Sequence, residues 1–335
     1  MKFKTTMMIV SVFLLFSCES KPQETSQPIS EEKTSQIIDN TKASLDHTPI
    51  KLYQENNVPF DEDDDTQPYI FLTPYLAPHP SGGAVLVFPG GGYGHLSNST
   101  TSVSGYGQGV DNQGNQKESS SIVPFYNDLG SSVFVVNYRT KALGEDVNYH
   151  AILADGSRAI RYVRHHASDY YLSKDRIAVQ GYSAGGHLAA TLATYSFVND
   201  DKTYQPDDID EEDDKANAAI LCYAVTSMED AYTHNKTRSN FLNAETSLYE
   251  TFSPYKHVSK DTCPMFLWCH EYDATVSSQN TYLMAKALED NNVDCVWEVY
   301  DDNHNTAHGL GIAADYEEAK TWPSKATAFL KEHEF

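Results

Sequence analysis

From residue 84 to the C-terminus, short apolar runs alternate with segments of helical spacing. Runs at 84–88, 133–137, 176–180, 218–223, 265–269 and 295–300 are rich in β-branched residues and predict six strands. They are apolar at odd and even positions alike, which predicts a parallel sheet buried on both faces. Segments 119–129, 149–167, 278–291 and 316–331 predict helices, the second with Ile152, Ala159, Ile160 and Val163 near helical spacing. The Ala-rich run 188–193 predicts another. This alternation implies a doubly wound α/β fold with helices on both faces of the sheet. Sites in such sheets sit at the C-terminal ends of the strands. Three long stretches, 94–121, 198–215 and 226–262, interrupt the pattern and predict loops, with 94–121 expected over those ends.

The N-terminus follows a different pattern. Lys2 and Lys4 precede the apolar run 7–16, which is too short to span a bilayer as a helix. Residues 1–18 therefore predict an export signal. The end of the run, Leu15-Phe16-Ser17-Cys18, resembles the lipobox of bacterial lipoproteins. That resemblance makes Cys18 the lipidated first residue of the mature chain, facing the periplasm or the cell surface; the alternative is an ordinary signal with an incidental cysteine. Residues 19–48 are polar and predict a flexible tether, leaving 49–335 as one large α/β domain.

Charge narrows the partners. Lys and Arg number 24 against 47 Asp and Glu, a net charge of −23, and no basic stripe offers a nucleic acid a footprint. The acidic runs 61–65 and 207–214 predict solvated loops, with a calcium site as the minor alternative. Besides Cys18 there are Cys222, Cys263, Cys269 and Cys295. Cys222, Cys269 and Cys295 lie in or beside apolar runs and predict core thiols. No pairing follows from spacing, and no Cys/His cluster suggests a metal.

Gly181-Tyr182-Ser183-Ala184-Gly185-Gly186-His187 lies between the run 176–180 and the Ala-rich run. A G-x-S-x-G turn from strand to helix lifts a serine hydroxyl off the sheet edge, where a base and a substrate carbonyl can reach it. A serine needs that base, and the base needs an orienting acid. The order Ser, acid, His places the acid after the run 265–269, where Asp273 stands with Glu271 as its rival. It places the base after 295–300, where His308 is favoured over His304 because Gly309 and Leu310 follow it. His187 and His270 are expected to neighbour the site or to pack. An oxyanion needs backbone donors. Ala184 should give one N–H, and Gly91 or Gly92, in the turn Pro89-Gly90-Gly91-Gly92-Tyr93, the other.

Phe88-Pro89-Gly90-Gly91-Gly92-Tyr93, Val136-Asn137-Tyr138-Arg139, the elbow, Ser253-Pro254-Tyr255-Lys256-His257-Val258 and Ala307-His308-Gly309-Leu310 resemble the bacterial acetyl-esterase branch of the α/β-hydrolases, akin to acetylxylan esterases and hormone-sensitive-lipase-like enzymes. The resemblance runs from about Leu72 to the C-terminus. It implies an α/β-hydrolase fold, an esterase removing short acyl groups, often acetyl from plant-type polysaccharides, and Ser183, Asp273 and His308 as nucleophile, acid and base. Two features depart from the family pattern: the long stretch 94–121, and Asn240-Phe241-Leu242-Asn243 where Asn-Leu-Leu-Gly is expected.

These observations predict a serine carboxylesterase acting on an acylated carbohydrate or another small ester, through an acyl-enzyme and without metal or organic cofactor. Two other classes share some of its features. An exported serine peptidase of the same fold would use the same three residues. A non-catalytic surface lipoprotein could bind glycan through some of the 22 tyrosines and 3 tryptophans.

Overall fold

In the computed structural model, which describes residues 47–61, 66–97, 120–229 and 231–335, eight strands form one sheet. The strands are β1 (Ile50–Lys51), β2 (Phe71–Tyr75), β3 (Ala84–Phe88), β4 (Ser132–Asn137), β5 (Ile177–Tyr182), β6 (Ala218–Cys222), β7 (Met265–His270) and β8 (Cys295–Tyr300). Their spatial order is β1-β2-β4-β3-β5-β6-β7-β8. From β4 to β8 every pairing is parallel, while β2 runs antiparallel to both neighbours. The export signal, Cys18 and most of the tether lie outside the described residues, as do 62–65 and 98–119.

All six predicted strands form. β1 and β2 are additional to them. β1 has two residues, and β2 carries Pro74, which argues against a strand interior. The proline is accommodated because β1 pairs only with Phe71 and Leu72, so no ladder bond to β1 is asked of Pro74.

Six helices cover the sheet: α1 (Val123–Leu129), α2 (Tyr149–His165), α3 (Ala184–Thr194), α4 (Asn235–Leu242), α5 (Gln279–Asp290) and α6 (Trp322–Glu332). Alternate residues of β3 supply opposite cores. Leu86 and Phe88 meet Ile152 of α2, Leu188 of α3 and Met284 of α5 in one cluster. Val85 and Val87 meet Tyr126 of α1 and Trp322 and Phe329 of α6 in the other. β8 departs from burial on both faces: it is the edge strand, and Val296 and Trp297 are exposed.

The helices depart from the pattern at several points. α2 starts where the Asn148 side chain accepts from the N–H of His150, and its last predicted residues form a separate 3-10 turn, Ala167–Tyr170. α6 begins only at Trp322, with Pro323 in its first turn. α4 lies inside the predicted loop 226–262. It has eight residues and only Phe241 and Leu242 are apolar, so it carries little helical period.

The acidic run 207–214 is more than a solvated loop. Arg158 of α2 forks onto Asp207 at 2.6 Å through both terminal nitrogens and reaches Asp210 at 3.0 Å. Arg161 lies 3.6 Å from Asp214. The hydrogen bond from Arg158 holds the Asp207 carboxyl below its usual range, against burial. These pairs fasten the loop along α2. No disulfide joins the four described cysteines: Cys222 and Cys269 are buried, Cys263 and Cys295 half-buried. Burial pushes the Cys263 and Cys269 thiols up to about 12, so neither is a ready thiolate.

Candidate active site

β5 is central, and its C-terminal end opens between the ends of β3 and β6. Ser183 stands between β5 and α3 with φ 54° and ψ −115°. A side-chain-bearing residue holds such a backbone only when its surroundings impose it. Here the Ser183 N–H donates to the Cys222 carbonyl at 3.0 Å, and the Ser183 carbonyl accepts from His187 at 3.1 Å and Val225 at 3.3 Å. The elbow glycines permit the close approach. A Cβ on Gly181 would overlap the Gly185 carbonyl, and one on Gly185 the carbonyls of Phe88 and Pro89.

The three separated residues meet. His308 Nε2 lies 2.8 Å from Ser183 Oγ, and His308 Nδ1 lies 2.6 Å from Asp273 Oδ2. The tautomer that fits carries its proton on Nδ1, leaving Nε2 to accept from the serine hydroxyl. Asp273 Oδ1 accepts from the N–H groups of Thr275 at 2.8 Å and Val276 at 3.0 Å, which aims Oδ2 at the imidazole. The Asp273 side chain is 1% exposed and that of His308 14%, so the acid is shielded while the base faces the cleft. The rivals lie elsewhere: Glu271 accepts from the Tyr282 hydroxyl, and His304 pairs with Asp301 at 2.7 Å on the surface.

Gly90, Gly91 and Gly92 line a cleft of about 300 Å³ together with Ser183 and His308. Gly91 has φ 119°, and a Cβ there would overlap the His95 carbonyl, so the turn requires glycine. Two carbonyls of this turn point into their own loop: that of Gly91 accepts from Gly94 at 3.0 Å, and that of Gly90 from Ser97 at 3.0 Å. The N–H groups of Gly91 and Gly92 have no acceptor among the described residues. Ala184 opens α3, so its N–H has no acceptor within the helix.

Two residues from the quoted motifs fix this turn. Tyr138 donates its hydroxyl to the Pro89 carbonyl at 2.6 Å. Asn240 of α4 donates to the Gly92 carbonyl at 2.7 Å. The departure from Asn-Leu-Leu-Gly is thereby explained: Asn240 keeps the contact, and Asn243 caps α4 at φ 48°, a left-handed conformation that asparagine tolerates.

His187 joins the turn to the nucleophile helix. Its Nε2 faces the Phe252 carbonyl at 2.9 Å and must carry the proton; its Nδ1 accepts from the Tyr93 hydroxyl at 2.8 Å. Burial lowers its pKa from 6.5 to about 4, although the Phe252 carbonyl opposes this. The folded pKa is depressed, so the unfolded chain takes up the proton first. The stabilisation is complete above about pH 6.5 and is lost as pH falls to about 4, roughly 3 kcal/mol in all. Urea midpoints at pH 7 and pH 4.5 should differ less for His187→Gln than for the wild type. Equal differences would remove His187 as the source.

His270, at the end of β7, is buried against Asp302 at 3.0 Å. Burial tends to raise the Asp302 pKa, but hydrogen bonds from the Glu318 and Ala319 N–H groups and from His270 bring it below the usual range. This pair ties the His308 loop to the sheet at one end and to the approach of α6 at the other. His234, just before α4, also faces the cleft; burial, then the nearby His308, lowers its pKa.

The strand order with a serine elbow after β5 defines an α/β-hydrolase. The BD-FAE family model matches residues 102–288, more than half of the chain, and the chain belongs to that family. The match includes Ser183 and Asp273 and leaves the glycine turn and His308 outside it. Among curated relatives, an endo-1,4-beta-xylanase B from Butyrivibrio fibrisolvens is 32% identical over 197 residues, 58% of this chain and 30% of that protein. An acetylxylan esterase from Xylanibacter ruminicola is 29% identical over 171 residues, 51% of this chain and 28% of that protein. The chain thus spans less than a third of the length of these two relatives. The crystal structure of an acetyl ester-xyloside bifunctional hydrolase from Caldicellulosiruptor lactoaceticus superposes with a TM-score of 0.71 at 29% identity, covering 85% of this chain and 96% of that one.

Proposed function

We propose that the protein is a serine carboxylesterase that removes short acyl groups, acetyl above all, from carbohydrate. The observation that carries this reading is the line from Asp273 Oδ2 through His308 to Ser183 Oγ, with links of 2.6 and 2.8 Å, beside a turn whose Gly91 and Gly92 N–H groups have no acceptor among the described residues. Ser183 Oγ attacks the ester carbonyl and His308 Nε2 takes its proton. Asp273 stabilises the imidazolium that results. The N–H of Ala184, with that of Gly91 or Gly92, binds the oxyanion. Collapse expels the alcohol, which takes the proton back from His308. Water, deprotonated by His308, then attacks the acyl-enzyme and frees Ser183. The small cleft supports a short acyl group, and the names of the relatives support acetylated xylan as the substrate class. The leader supports a membrane anchor at Cys18.

One experiment addresses both parts. The full chain, recovered from the membranes of expressing cells, is expected to release acetate from acetylated xylan, with p-nitrophenyl ester turnover falling steeply beyond acetyl. A dipeptide amide cleaved in preference to these esters would establish a peptidase. Recovery only in the soluble fraction would remove the lipid anchor.

A further inference from the structure

The chain carries a net charge of −23, yet the described residues lining the cleft include no carboxylate. Asp273 lies behind His308, its side chain 1% exposed. Among the described lining residues, the one with a full positive charge is Lys236, in the first turn of α4. Its stem rests on the glycine turn, with Cγ 3.9 Å from where a Cβ on Gly92 would stand. Lys236 also lines a neighbouring hollow of about 440 Å³, with Arg238, Ser239 and Tyr249. This hollow too has no carboxylate among its described lining residues. One ammonium therefore stands where the two spaces adjoin.

Lys174, Lys256, Lys286, Lys320 and Lys325 each pair with a carboxylate, whereas Lys236 has no ion pair among the described residues. It stands instead near a second ammonium. Burial lowers the Lys141 pKa and Lys236 lowers it further, while Glu145 and Asp146 oppose the shift. Arg238 is already engaged: it donates to the Met228 carbonyl at 3.2 Å and to Asn235 at 3.0 Å, and its guanidinium lies 4.4 Å from the centre of the Tyr249 ring. It stiffens the hollow. Lys236 is the group placed to receive a ligand charge.

We infer that Lys236 forms an anion subsite next to the ester cleft, and that the preferred substrate is an acetylated carbohydrate bearing a carboxylate, as a uronate-substituted xylan does. This inference rests on the esterase reading. An acidic surface repels such a polymer, and a local cation then discriminates by holding its carboxylate beside the scissile ester.

The test compares acetylated xylan with and without uronate side groups, using the full chain and its Lys236→Met and Lys236→Glu variants. Turnover of p-nitrophenyl acetate serves as the reference for general loss of activity. The wild type is expected to favour the uronate-bearing polymer, through KM rather than kcat. That preference should fall about three- to tenfold in Lys236→Met and further in Lys236→Glu, and shrink with added salt in the wild type. A preference identical in the wild type and Lys236→Glu would overturn the subsite while leaving the esterase in place. No turnover of any ester, p-nitrophenyl acetate included, would overturn the esterase reading and the subsite with it.

Discussion

Ser183→Ala is expected to lower p-nitrophenyl acetate turnover by about 10⁴- to 10⁶-fold while the protein stays folded. The size follows from the connectivity of the site. His308 has one geometric partner for each ring nitrogen, Ser183 at 2.8 Å and Asp273 at 2.6 Å. Without the hydroxyl the base has nothing to activate, and the glycine N–H groups polarise a carbonyl that no side chain attacks. The fold should survive because the change removes one oxygen and leaves the backbone bonds of Ser183 to Cys222, His187 and Val225 intact. Turnover, circular dichroism and labelling by a fluorophosphonate probe check this together. Wild-type turnover in a folded variant would remove Ser183 from the reaction.

The largest expected effect on stability lies away from the cleft. Arg139, just beyond β4, is fully buried. It donates to both Asp155 oxygens, at 2.8 and 3.0 Å, and to the Pro59 carbonyl at 2.7 Å. Burial opposes both charges and pushes the Asp155 carboxyl up, while the Asp155 carboxylate raises the guanidinium pKa; the two-pronged contact is the geometry of a buried ion pair. Arg139→Met removes one charge and leaves the other buried. Such a change costs about 3–5 kcal/mol, and adding Asp155→Leu should recover most of it. Urea denaturation of the two variants measures both numbers. A loss under about 1 kcal/mol in Arg139→Met would show that Asp155 finds water or another partner. Activity should fall with stability, because Tyr138 precedes Arg139 and holds the Pro89 carbonyl at the glycine turn.

The strands and the three central residues were legible because each carries a local signal. The strands buried on both faces are mostly apolar at odd and even positions; the serine and the acid each follow such a strand, and the histidine follows the edge strand β8. β1, β2 and α4 lack that signal. β1 is too short to show a period, β2 contains Pro74, and α4 is polar along most of its length. The ionic fastening of 207–214 was hidden for another reason. A charge run reads as solvated until its partners are known, and Arg158 and Arg161 stand some 50 positions earlier, roughly the whole span of a βαβ unit. His187 could be placed near the site by its position after the elbow. Its tautomer, and its bond to Tyr93, depend on the Phe252 carbonyl 65 residues away.

Ser183 holds a left-handed backbone that a glycine would adopt without strain. Ser183→Gly is therefore expected to relieve backbone strain while removing the hydroxyl proposed as the nucleophile. A screen that rewards heat resistance alone would drift toward loss of the nucleophile, so stabilised versions of this protein have to be selected by turnover at every round.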